Sequence, residues 1–392
     1  MTIKQLPPAA RKSVNKTVRQ LGIQAYDCDN LYPQNVRDIV GASACGSGCL
    51  ERYIKYIKGD GLASSYFANL VVNAEGETLA DLVTLLARDM GTYQGIALHV
   101  NYNVLGRITS LHAVPFENAR LGEYDEEGVI EKIALHPDWT GELEYGGKRM
   151  RVTRENIDYV DTFRPEAAPA QMRDAGGPDA YLGQVLYCST AGYLRYPLAL
   201  FDSVLTDMST DEGLSNLMLR NARNNFLPAC AFVHLKGNGD MYDEDGRPSR
   251  EEESSYSETL RSLQGDTNAL NVLDIEVERM DEKPEVVQFS ARNIDKDFTA
   301  TDDAVKERIY ARFNQEGFLS IRLGKVGFSG TLVRDVNDDY ARNCVDVQKR
   351  ITRALMSVLK WWALPLAEEP TEEALTIVPL TYSVASSDKI NE

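Results

Sequence analysis

Three stretches of this chain repeat apolar residues every three or four positions over many turns, and their order constrains the fold most. The first runs from Pro197 to Phe226, with Leu200, Val204, Met208, Leu214, Leu217, Met218 and Ala222 forming a stripe interrupted only by Gly213. Proline stands at its start, where a missing N–H costs little, and Pro228 ends it. The second begins near Thr301, an N-cap residue followed by Asp302 and Asp303, and carries Val305, Ile309 and Phe313 on one face. The third extends from about Val333 to Trp362, stepping through Val336, Tyr340, Asn343, Val347, Ile351, Ala354 and Val358. Its acids Asp335, Asp338 and Asp339 come early and its bases Lys349, Arg350, Arg353 and Lys360 come late, as the helix dipole prefers. Between the first two stretches lie an apolar strand (Ala229–Leu235), an acidic loop, a helix (Ser249–Leu263) and a strand (Ala269–Val277), so a β–α–β unit is inserted there.

Upstream of these helices the pattern is mixed. A helix is expected over Asp29–Lys58, entered through Tyr32-Pro33 and stopped by Gly59-Asp60-Gly61. Another is expected over Thr78–Met90, with Leu79, Leu82, Val83, Leu86 and Met90 on one stripe. The period then changes to two through Ile96, Leu98, Val100 and Tyr102, and strand-like pieces follow at Ile108–Leu111, Val129–Leu135, Leu143–Tyr145, Arg149–Val152 and Asp158–Phe163. This is an α+β block of antiparallel hairpins rather than an alternating strand–helix pattern. The Pro- and Gly-rich stretch Arg164–Pro178 reads as a surface loop or linker.

Charge narrows the function. The chain has 392 residues with 42 Lys+Arg against 59 Asp+Glu, a formal charge of −17. A surface this acidic does not hold nucleic acid through general phosphate binding, which needs excess Lys and Arg. The distribution is uneven. The first twenty residues carry Lys4, Arg11, Lys12, Lys16 and Arg19 with no acid, whereas Ala229–Glu285 holds fifteen acids against six bases. No apolar run approaches the roughly 20 residues of a bilayer crossing, and the polar Met1–Gln20 stretch is not a secretory signal. Six scattered cysteines do not make a disulfide framework and point to a reducing interior.

The usual catalytic signatures are missing. No G-x-S-x-G elbow and no H-E-x-x-H pair occurs, and the glycine loop Leu323–Thr331 lacks the Gly-Lys-Ser/Thr ending of a phosphate loop. His99, His112, His136 and His234 lie far apart on or beside expected strands and read as packed or exposed. Cys45 and Cys49 stand four apart on one helix, but no His or Cys lies near them in sequence to complete a tetrahedral metal site, so they read as buried small residues. Asp243-Glu244-Asp245-Gly246 with Glu252 resembles part of a calcium loop, yet Met241 holds the first ligand position. Catalytic, cofactor-binding and metal-binding residues are therefore expected to be absent. Taken alone, the glycine loop reads as a flexible connection between helices. A second reading is a mobile finger carrying Lys325 and Phe328.

The order of the pieces is more specific than any one of them. A long helix opening Tyr196-Pro197-Leu198 runs to Asn224-Asn225-Phe226-Leu227-Pro228-Ala229. A strand, helix and strand follow, then a second long helix, then Leu323-Gly324 with a Gly/Ser loop, then the third long helix. This resembles the portal proteins of tailed bacteriophages, in the branch serving long-tailed phages, over roughly Tyr32 to Trp362. The Tyr32-Pro33 helix ending Lys58-Gly59-Asp60-Gly61 looks like the start of a portal wing. The family often carries a proline-containing turn before Leu-Gly, where this chain reads Phe318-Leu319-Ser320-Ile321-Arg322.

The resemblance implies a portal-like α+β fold. Its parts would be a basic N-terminal arm (1–28), a wing (29–196), a first stem helix (197–228), a clip (229–291), a second stem helix (292–320), a tunnel loop with wing-return helix (321–364) and a C-terminal tail (365–392) with a reduced or absent crown. It implies a homo-oligomeric ring, usually a dodecamer, at one vertex of a capsid. The ring would be assembled in the host cytoplasm, and its channel would pass double-stranded DNA without reading it. Partners would be the large terminase subunit, a head–tail adaptor and the major capsid or scaffold protein, with no membrane. Terminase would hydrolyse the ATP, and the chain itself would not be an enzyme. Tunnel-loop residues would be Lys325, Val326, Gly327, Phe328, Ser329, Gly330 and Thr331. Stem acids Asp202, Asp207 and Asp211 would repel the DNA backbone, and Asp243, Glu244, Asp245, Glu251 and Glu252 would serve clip docking. The alternatives are another virion assembly or adaptor protein and an α+β enzyme with a dispersed site.

Overall fold

The computed structural model describes residues 15–145, 148–192, 194–224, 230–235, 264–265, 268–269, 272–277, 294–324 and 330–381. The architecture is α+β. The chain divides into two compact units, one made of 1–208 with 306–392 and the other of 209–305. The dividing points fall inside two long helices, Leu205–Asn224 and Ile294–Arg312.

The first unit is built on a six-stranded sheet. In chain order its strands are β3 (Gly95–Tyr102), β4 (Ile108–Val114), β5 (Ala119–Leu121), β6 (Lys132–Leu135), β9 (Asp158–Thr162) and β10 (Gln184–Ser189), arranged β4-β3-β10-β9-β6-β5, while β7 (Glu144–Tyr145) and β8 (Lys148–Arg149) pair as a separate hairpin. Pairing is antiparallel except between β10 and β9. Strand β10 went unrecognised in the sequence, although it joins the β3–β4 hairpin to the remaining strands. Ile96, Ala97 and Leu98 are all buried, because β3 is covered on both faces and alternation fades there.

Helix formation follows local chemistry, with informative exceptions. The helix Leu79–Tyr93 starts at a Thr78–Asp81 capping box and buries the expected stripe. The single helix expected over 29–58 is two, Tyr32–Ala42 and Ala44–Lys58. Ser43 adopts an extended conformation between them, and its hydroxyl accepts from the Gly46 N–H as an N-cap. Residues 168–174 form a helix inside the stretch read as loop or linker.

Both chain ends take part in the fold more than the sequence implied. Within the expected N-terminal arm, β1 (Asn15–Val18) and β2 (Ile23–Tyr26) pair as a hairpin that buries Ile23, Ala25 and Tyr26. Within the expected tail, Leu375 and Ile377 are buried. The Asp60, Ala63 and Ser64 N–H groups donate to the Val378, Thr376 and Ala374 carbonyls.

A buried cation sits at the centre of this packing. Arg120, fully buried on β5, donates to the Asn30 side chain and carbonyl, the Gln34 side chain and the Glu117 and Ala119 carbonyls. Its guanidinium also lies 5.0 Å from the Trp139 ring centroid and 5.7 Å from that of Tyr26. Burial lowers its pKa.

In the second unit, Cys230–Leu235 pairs in parallel with Val272–Val277, from Cys230↔Val272 to Leu235↔Val277. Parallel neighbours require a crossover connection, as in a β–α–β unit. The helix expected over 249–263 lies outside the described residues. Among the described residues no helix is long and apolar enough to cross a membrane.

Candidate functional site

Four helices define the region on which the sequence placed the channel elements: α6 (Leu205–Asn224), α7 (Ile294–Arg312), α8 (Glu316–Arg322) and α9 (Gly330–Leu359). Each departs from its expected bounds for a local reason. Helix α6 begins at Leu205 rather than Pro197. The Tyr26 hydroxyl donates to the Pro197 carbonyl and the Tyr32 hydroxyl accepts from the Ala199 N–H, so distant side chains hold the backbone of 197–199 ahead of the helix. Helix α7 begins before Thr301, which is therefore interior and not a cap. It stops at Arg312, where Asn314 takes a left-handed conformation at φ 55°. Helix α9 begins at Gly330, so Gly330 and Thr331 belong to the helix and not to the loop.

The three stem acids do not stand as open carboxylates. Asp202 lies in a 3-10 turn ahead of α6 and accepts from the Tyr32 hydroxyl at 2.8 Å. Asp207 accepts from Arg308 of α7 at 2.8 Å (Nε) and 2.7 Å (Nη2). Asp211 is buried. Within one chain, the three acids expected to repel DNA are one hydroxyl-bound acid, one ion pair and one buried group.

The corner from α7 through α8 into α9 is anchored tightly. Gln315, fully buried, donates from one amide nitrogen to the Cys49 carbonyl at 2.9 Å and to the Tyr340 hydroxyl at 2.7 Å, while its oxygen faces Arg52 at 3.3 Å. The Arg52 guanidinium also lies 4.5 Å from the Phe318 ring centroid. Phe318, Tyr340 and Tyr56 form an aromatic cluster with centroids 4.8 to 6.2 Å apart, and the Tyr56 hydroxyl donates to Asn337 on α9. Burial raises the pKa values of Tyr56 and Tyr340, so both stay neutral hydroxyls. Gly317 permits close approach of α8 to α9, since a Cβ there would meet Val336 Cγ1 at 2.9 Å. Gly324 takes φ 64°, which favours glycine, and turns the chain out of α8.

An open cleft of about 590 Å³ lies in this corner, with Phe318, Val336 and Tyr340 against Glu316, Asp335 and Asp339. Among the described residues it does not converge nucleophile, base and oxyanion donor in the manner of an active site.

Several sequence candidates fall elsewhere. Lys325, Val326, Gly327, Phe328 and Ser329 lie outside the described residues, as do the clip acids Asp243, Glu244, Asp245, Glu251 and Glu252. Cys49 is a buried free thiol hydrogen-bonded to the Cys45 thiol, and that contact together with burial raises its pKa. Among the described residues no group of three or more His, Cys, Asp and Glu is placed to hold a metal. His99 and His112 face each other across β3 and β4 with ring centroids 6.4 Å apart, and burial lowers the His99 pKa. His136 is buried, and its Nδ1 accepts from the Asp138 N–H. Gln315, Arg52, Tyr56 and Asn337 went unnoticed in the sequence, because a polar residue on an amphipathic helix gives no sign of being turned inward.

No known protein family and no curated protein matches the sequence. Among solved structures, the chain is similar to one from the virion of a native gene transfer agent particle, with 15% identity and a TM-score of 0.46, covering 85% of this chain and 81% of that one. It is also similar to a chain from the neck of an empty gene transfer agent particle computed with C6 symmetry, with 15% identity, TM-score 0.45 and the same coverage. A chain from the neck of the native particle computed with C12 symmetry shows 14% identity and a TM-score of 0.45, covering 84% of this chain and 81% of that one.

Proposed function

We propose that this chain is the subunit of a portal-type ring, a non-enzymatic channel at a capsid vertex through which double-stranded DNA is packaged, retained and released. The carrying observation is the path of the chain. It leaves the first unit through α6, forms a parallel strand pair in the second, returns through α7 and turns at a braced corner into the 30-residue α9. In this reading α6 and α7 are stem helices, the parallel strands belong to a clip that docks terminase and adaptor, and 325–329 is the core of a tunnel loop presented from that corner.

The charge pattern suits such a conduit. Duplex DNA slides only where few phosphates are neutralised, because each neutralised phosphate adds salt-sensitive affinity. Asp207 on Arg308 serves this end differently from bare repulsion, because it keeps a stem cation from gripping the backbone.

Electron microscopy of the purified full chain tests the proposal. Rings with a central hole are expected, and a stable monomer at all concentrations overturns it. In rings, Lys325→Glu or deletion of Gly327–Gly330 is expected to impair DNA packaging or retention while ring assembly persists. Normal packaging by a ring-forming deletion variant removes the tunnel-loop role.

A further inference from the structure

The cleft in the α7–α8–α9 corner has a composition that its place beside the loop does not require. Its apolar part is Phe318, Val336 and Tyr340, its rim carries Glu316, Asp335 and Asp339, and among the described residues no Lys or Arg lines it. The neighbouring base Arg334 is engaged by Asp338 of its own helix at 3.6 Å. The three carboxylates are exposed, so they add attraction without the desolvation cost of buried charge. An acidic rim around a partly open aromatic side chain is the form of a groove for an extended basic segment, and the one cation at its floor, Arg52 at 4.5 Å from the Phe318 ring centroid, is already engaged by the Gln315 side-chain oxygen.

The segment Met1–Val14 has matching chemistry. Met1–Val14 carries Lys4, Arg11 and Lys12 with no acid, and Ile3, Leu6 and Val14 are interspersed among them. At its middle stands Pro7-Pro8, the kind of sequence that docks on aromatic-lined grooves without a large ordering cost.

We propose that this cleft receives the basic N-terminal segment Met1–Val14, from the same or a neighbouring copy. The bases sit against Glu316, Asp335 and Asp339, and the proline and aliphatic residues sit on Phe318 and Val336. The contact ties the chain's N-terminus to the corner from which residues 325–329 emerge. It does not depend on the portal proposal, since it requires neither DNA nor a ring.

Site-specific photo-crosslinking in the full chain tests it, with a benzophenone amino acid replacing Leu6 and adducts mapped by mass spectrometry. Adducts are expected within residues 314–343. Their yield should fall by about fivefold in the triple variant Glu316→Gln/Asp335→Asn/Asp339→Asn, and comparably at roughly 0.5 M salt. All three positions are exposed, and an unchanged thermal melt confirms that the variant is folded. Adducts confined to other surfaces overturn the proposal, as does a yield indifferent to the triple variant. Transfer of the adducts to added duplex DNA also overturns it and marks the segment as a nucleic-acid arm. Failure of ring formation with retained crosslinks would count against the portal reading alone.

Discussion

At the scale of single residues, the corner turns on groups whose roles come from burial. Gly317 is a test case. Alanine would gain about 1 kcal/mol of helix propensity, but its Cβ at 2.9 Å from Val336 brings an overpacking cost of about 1–3 kcal/mol. Gly317→Ala is therefore expected to lower the melting temperature, and Gly317→Ala/Val336→Ala to recover part of that loss. A second test concerns Asp89, half-buried on the helix Leu79–Tyr93, where its carboxylate accepts from the Phe116 N–H at 2.9 Å. Burial raises its pKa to about 7, against the ordinary lowering by that hydrogen bond. Because the folded pKa lies above the unfolded value, the folded state holds the extra proton between about pH 4 and 7, and stability falls as pH rises through that window. Compared with Asp89→Asn, the native chain should lose about 1–2 kcal/mol across it in urea titrations, less than full linkage because Asp89 is not wholly buried. A pH profile identical to that of the variant would show that Asp89 titrates normally.

At the scale of elements, helices were readable where the apolar stripe was unbroken, as over Thr78–Met90, and misjudged wherever a distant partner intervened. Helix α6 starts eight residues later than expected, and Tyr26 and Tyr32, more than 160 positions away, bond the backbone at Pro197 and Ala199 ahead of it. The pair between α6 and α7 also yields a prediction. Arg308 and Asp207 are partly exposed, so Asp207→Ala should cost under about 1 kcal/mol of stability. It would free Arg308, and in an assembled channel it should raise duplex-DNA affinity with a steeper salt dependence. Unchanged affinity and slope in a salt titration would place Arg308 away from the DNA path.

At the scale of the whole molecule, the proposed ring requires a surface that a single chain leaves open. On α6, Met218 and Leu219 remain 49% and 48% exposed, an apolar pair that a lone soluble helix has no reason to display together. Met218→Asp with Leu219→Asp should leave the thermal melt nearly unchanged but shift the protein from rings to monomers in analytical ultracentrifugation. Rings that persist in the double variant would move the subunit interface elsewhere.

The sequence by itself determined the α+β class, the succession of long helices around an inserted strand-bearing unit, the apolar stripe of the Leu79–Tyr93 helix and the lack of familiar catalytic motifs. These are properties of local periodicity and of chemistry within a few residues. Tertiary structure alone decided that β10 joins the two parts of the sheet and that the extended conformation at Ser43 divides one expected helix into two. It also placed residues 374–378 against residues 60–64, buried Arg120 and Gln315, and engaged or buried the stem acids. The physical reason is the same throughout. A polar side chain on an amphipathic stripe reads as solvated until a partner far along the chain satisfies its hydrogen bonds, and such partners leave no periodic trace.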